Sequence, residues 1–143
     1  MEVESVIAAI VLVFLGIEAV TDYRKKTISL YAGAAMTAAA AAYNAVSGRM
    51  SLAEMAAGCL TGGAVILAGI ISKQKIGTGD GLILLVVGMW CGGFVSFMTL
   101  AAGSTSAAVT TLILLAAGAV KKGQQIGFVP FLLIGFVEVV LFV

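Results

Sequence analysis

The chain has 143 residues, of which 62% are hydrophobic and 10% charged, and its mean hydropathy is +1.18. Soluble domains are about 45–50% apolar and about 25% charged, so too few charges are present here to cover a water-facing surface. With eight Lys/Arg against seven Asp/Glu and a net charge of +1, the composition excludes an ordinary soluble enzyme, a disordered protein and a nucleic-acid-binding domain.

Six apolar stretches follow one another, and a spanning helix needs roughly 17–25 such residues. The first runs from about Val3 to Val20 and stops at the polar cluster Thr21-Asp22-Tyr23-Arg24-Lys25-Lys26. Its leading residues carry Glu2 and Glu4 rather than positive charge, and no small-residue cleavage site precedes Asp22, so it reads as a retained helix and not a signal peptide. The second covers about Leu30 to Val46, with an alanine-rich run suited to helix packing. The third covers about Leu52 to Ile71. The fourth and fifth share the region from Ile76 to Val120, with the turn expected near Gly92-Gly93 and Trp90 as an interfacial anchor, or alternatively near Gly103-Ser104. The sixth covers about Ile126 to Val143. No linker divides them, which predicts one all-α, polytopic membrane domain over residues 1–143 with six transmembrane helices.

Seven of the eight basic residues lie in the loops after the first, third and fifth stretches: Arg24, Lys25, Lys26, Lys73, Lys75, Lys121 and Lys122. Arg49 alone lies in an alternate loop. Positive charge stays on the cytoplasmic side, so this pattern predicts cytoplasmic basic loops and both termini outside.

The acids carry the chemistry. A carboxylate at membrane depth costs about 2.5–3.5 kcal/mol, which makes it a functional candidate by default. Asp22 and Asp80 both fall at the cytoplasmic ends of spans, one ending the first and one opening the fourth. Two carboxyls held close cannot both ionise cheaply and tend to share a proton. One then takes a proton from water while the other donates to a carbonyl oxygen. The chain has no His, which removes the commonest general base and the commonest transition-metal ligand. Composition and topology leave open that each Asp merely caps a helix or pairs with a lysine. Glu18, one helical turn before Asp22, reads as hydrogen-bonded or paired across helices, and no role falls to Glu138. Cys59 and Cys91 form neither a zinc knuckle nor a disulfide framework and read as small buried packing residues. Gly58-x-x-x-Gly62 and Gly88-x-x-x-Gly92 read as helix-packing motifs.

Asp80 stands in Gly77-Thr78-Gly79-Asp80, and Asp22 precedes Tyr23-Arg24-Lys25-Lys26-Thr27-Ile28-Ser29. With Gly127-Phe128-Val129-Pro130-Phe131-Leu132 entering the last stretch, these residues resemble the type IV prepilin peptidases, membrane aspartic proteases of the GxGD class, over nearly the whole chain. Ser29-Leu30 and Gly81-Leu82 depart from the family's usual Pro-Asn and Val-Lys. The resemblance implies an aspartic endopeptidase of the cytoplasmic membrane. Asp22 and Asp80 are then the catalytic pair, and Gly77, Thr78, Gly79 and Pro130 line the site or its loop. No metal or cofactor is implied. The implied partners are a prepilin-like membrane substrate and the lipid bilayer, with no nucleic acid. The chain looks like the short form without a methyltransferase region, as in Flp-type pilin or preflagellin systems. The same aspartates suit two other readings: a small proton- or cation-coupled transporter or assembly factor, and a presenilin-like intramembrane protease. The absence of an inverted repeat counts against the transporter. The basic run after Asp22 favours prepilin over presenilin-like substrates.

Overall fold

A computed structural model describes residues 2–25, 27–73, 77–123 and 126–143. These form six helices: α1 (Glu2–Lys25), α2 (Leu30–Ser47), α3 (Leu52–Ile71), α4 (Thr78–Cys91), α5 (Gly93–Ala116) and α6 (Val129–Phe142). Lys26, Lys75 and Ile76, used above to mark loop charge and a span boundary, lie outside the described residues.

Local chemistry sets most of the boundaries. The α1 helix continues past Val20 to Lys25, with Arg24 and Lys25 in its last turn, where cations meet the negative end of the helix dipole. Asp22 is therefore inside α1 rather than after it. Ser29 caps α2 by accepting the Ala32 N–H at 3.2 Å, and Gly48 ends it at φ +62°. Ser51 and Glu54 form a capping box at the start of α3. The turn between α4 and α5 falls on Gly92, whose φ of +96° suits a residue without a Cβ. Gly92 is thus a hinge between helices, not the second glycine of a packing motif, and the alternative turn at Gly103-Ser104 is continuous helix. The sixth helix begins at Val129, three residues later than expected. Pro130 sits in its first turn, where the missing N–H leaves no bond unmade.

Among the described residues, α1, α3 and α5 are long and apolar enough to cross a bilayer. Helices α4 and α6 have 14 residues each, or roughly 21 Å of rise against a hydrocarbon core of about 30 Å. The α1 helix turns Val6, Ile10, Val13, Ile17 and Val20 outward while Ile7, Val11, Leu15, Glu18 and Asp22 are buried. That arrangement, with apolar residues out and acids in, is what lipid as the surrounding solvent favours.

The central element is α4, apolar on every side and touching α1, α2, α3 and α5. It approaches α3 backbone to backbone: a Cβ on Gly58 would lie 2.5 Å from the Gly88 carbonyl oxygen, and one on Gly62 as close to the Leu85 nitrogen. Trp90 is 7% exposed, stacks on Tyr43 at 5.9 Å and donates its indole N–H to the Met36 carbonyl at 3.1 Å. It therefore locks α2 onto α4 instead of anchoring the bundle to a lipid interface, because its polar N–H finds a partner inside the protein. Arg49 closes the same end, donating to the Trp90 carbonyl at 2.9 Å and to Glu4 at 3.3 Å. Cys59 is exposed rather than buried. It lies on α3 beside the face that packs on α4, with its thiol 3.5 Å from the Met89 sulfur.

Candidate active site

The two short helices both begin at the end of the bundle where α1 terminates. Their missing length leaves a recess there, a cavity of about 1070 Å³ lined by Asp22, by Gly77, Thr78, Gly79 and Asp80, and by Ile126, Gly127 and Phe128. Asp22 arrives from α1 and Asp80 from the first turn of α4. Of the residues singled out from the sequence, Asp22, Asp80, Gly77, Thr78 and Gly79 thus meet around one space. Pro130 does not line it. Its neighbours do: the turn that Pro130 stabilises carries Gly127 and Phe128 into the cavity wall.

Asp22 is 8% exposed, and its Oδ2 accepts the Val129 backbone N–H at 3.3 Å. That N–H belongs to the first turn of α6, where helix amides have no intrahelical acceptor, so the start of α6 orients the carboxyl. Gly127 leaves room for the carboxyl on that side, since a Cβ there would stand 2.5 Å from Asp22 Oδ2. Sequence reasoning quoted Gly127 as part of a resemblance without assigning it a place. Its spacing of three residues before Pro130 was the available signal.

Only Gly77 of the Gly77-Thr78-Gly79-Asp80 motif precedes the helix, as its N-cap; Thr78, Gly79 and Asp80 form the first turn of α4 rather than the expected loop, and both glycines make room within the protein itself. A Cβ on Gly77 would lie 2.7 Å from Asp80 Oδ2, and one on Gly79 would lie 2.5 Å from the Ile28 Cδ1. Gly77 has an ordinary φ of −67°, so proximity rather than unusual backbone geometry selects glycine there. Ile28 and Thr27, which the sequence did not mark as site residues, form the cavity rim. They are held by Glu18, which is 2% exposed and whose Oε2 accepts the Ser29 N–H at 3.1 Å.

Comparison with known proteins bears on the same segments. The profile of the type IV leader peptidase family matches residues 9–114, well over half of the chain, including Asp22, the Gly77–Asp80 motif and all of α4. This chain belongs to the type IV leader peptidase family. The leader-peptidase match ends within α5, before the 126–128 segment that touches Asp22. No curated protein and no solved structure matches the chain. With its apolar helices, the peptidase assignment makes it a membrane protein of a protease family.

Proposed function

We propose that this leader peptidase is an aspartic endopeptidase that uses Asp22 and Asp80 as a pair to remove the leader from prepilin-like substrates. The observation that carries the reading is that the two aspartates, distant in sequence and on different helices, line one cavity. In the reaction one carboxylate takes a proton from water as the water oxygen bonds to the scissile carbonyl carbon. The protonated partner donates to the carbonyl oxygen. Collapse of the tetrahedral adduct breaks the C–N bond as the proton taken from water passes to the leaving amine and one hydroxyl of the adduct returns its proton to the other carboxylate, which restores the starting pair. The Val129 N–H keeps the Asp22 carboxyl in place while this occurs.

Six spans with both termini outside put the cavity at the cytoplasmic face of the cell membrane. Arg24 and Lys25 end α1, and Lys73, Lys121 and Lys122 follow α3 and α5, all helices that run toward that end, in accord with the retention of positive charge inside. By family resemblance the substrate carries a basic leader, a Gly before the scissile bond and an apolar helix after it. Flp-type pilin precursors and preflagellins are the substrates that the resemblance implies.

Co-expression of the chain with such a precursor, with leader loss read as a gel shift, tests the proposal. Mature product with the wild-type chain and none with Asp22→Asn or Asp80→Asn is the expected result. Cleavage at close to the wild-type rate after either change rules out the aspartate pair.

A further inference from the structure

Helices α3 and α5 meet at one end of the bundle and part toward the other. At the end away from the site, a Cβ on Gly93 would lie 2.5 Å from the Ala57 Cβ, so α5 starts in contact with α3. Toward the site each leans on a different neighbour. The α3 helix stays against α4, where a Cβ on Gly81 would strike Ile66. The α5 helix stays against α6, where a Cβ on Gly135 would lie 2.6 Å from the Gly103 nitrogen. The gap between them is the flank of the cavity that holds both aspartates, walled by Ala64 and Ala68 on one side and Leu100 and Ser104 on the other. Ala64 and Ser104 are exposed, so this flank opens sideways.

Beyond Gly103 the α5 helix has no buried residue through Ala116. At about 1.5 Å per residue that is roughly 20 Å of helix whose side chains are half-buried or exposed. We infer that the opening between α3 and α5 is the lateral docking groove for the apolar helix that follows the scissile bond of a membrane-anchored substrate. This inference rests on the peptidase reading above and adds where the substrate enters. The groove is continuous with the cavity, so a helix lying in it has its first residues beside Asp22 and Asp80. The cavity of about 1070 Å³ holds about two turns of a helix about 10 Å across. Its walls combine alanines, which let a helix backbone approach closely, with one hydroxyl, the residue types that favour helix association in lipid. The shallower groove between α5 and α6, lined by Thr105, Thr110 and Glu138, faces the opposite side of α5 and contains neither aspartate.

The test uses the full chain in membranes with a prepilin-like substrate bearing both leader and apolar helix. Photo-crosslinking side chains are placed at Ala64 and Ser104, and in separate proteins at Thr110 and at Val13 on the outer stripe of α1. Crosslinks to the substrate helix from Ala64 and Ser104, at least tenfold above those from Thr110 and Val13, are the expected result. Crosslinking mainly from Thr110 or Val13, or none from Ala64 and Ser104 in a protein that cleaves the substrate, overturns the groove and leaves the peptidase reading standing. A wild-type chain that cleaves nothing overturns the peptidase reading and the groove with it. An independent readout is the ratio of cleavage rates for the helix-bearing substrate and for a short soluble peptide spanning the same junction. Ala64→Trp should lower that ratio at least tenfold. An unchanged ratio counts against the groove.

Discussion

Glu18 Oε2 accepts the backbone N–H of Ser29 at 3.1 Å, joining the buried face of α1 to the residue that caps α2. One turn further along α1 stands Asp22, and immediately before Ser29 stand Thr27 and Ile28 on the cavity rim. The bond therefore ties the helix turn that bears a candidate catalytic side chain to the rim that rests on Gly79 at the start of α4.

Removing that acceptor should be felt in activity more than in stability. Glu18→Ala forfeits a hydrogen bond with a net value of about 1 kcal/mol and frees the rim that rests on Gly79. Glu18→Gln keeps an oxygen for the Ser29 N–H and should retain most cleavage. Melting in detergent beside cleavage rate separates the cases. If the Ala and Gln variants lose activity equally, Glu18 does not act through Ser29.

Asp22→Asn and Asp80→Asn should each cut cleavage by about 10²–10⁴-fold, the usual contribution of acid–base groups. The amide preserves shape, and its oxygen still accepts from Val129, so insertion and melting should be nearly unchanged. A variant that fails to insert would point to a structural role for that carboxyl.

The glycines separate a site role from a packing role. Gly58→Ala drives a Cβ into the Gly88 backbone, which cannot yield as a side chain can, so stability should fall by about 1–3 kcal/mol. Gly79→Val meets the Ile28 side chain instead, so the rim shifts and most activity is lost with little change in melting. Catalytic losses that merely track melting temperature in both variants would make Gly79 structural.

Gly127→Ala places a methyl 2.5 Å from Asp22 Oδ2, closer than the two atoms can stand. The carboxyl must rotate away from the Val129 N–H, and cleavage should fall at least tenfold with the protein still folded. Full activity in this variant would mean that contact with the start of α6 does not orient Asp22.

Cysteine labelling in intact cells should find Lys25, Lys73 and Lys121 facing the cytoplasm and Gly48 facing outside. An outward Lys73 would contradict the orientation drawn from the basic loops.

The amino-acid sequence by itself determined the helical class and the six apolar segments, because lipid demands long apolar runs; it offered glycine turns at Gly92-Gly93 and at Gly103-Ser104, and the structure takes the first. It also singled out Asp22 and Asp80, since a carboxyl among apolar residues is costly enough to stand out without any structure. Hydropathy does not record which face of a helix meets which neighbour. For that reason Trp90 was expected at an interface and lies instead between α2 and α4, where its N–H reaches Met36. Cys59 was expected inside and lies outside. Only the tertiary structure brought the first turn of α6 to Asp22, Ile28 to Gly79 and Glu18 to Ser29. Those contacts depend on how closely helices approach and where short helices stop, and both are decided by packing among segments far apart in the chain.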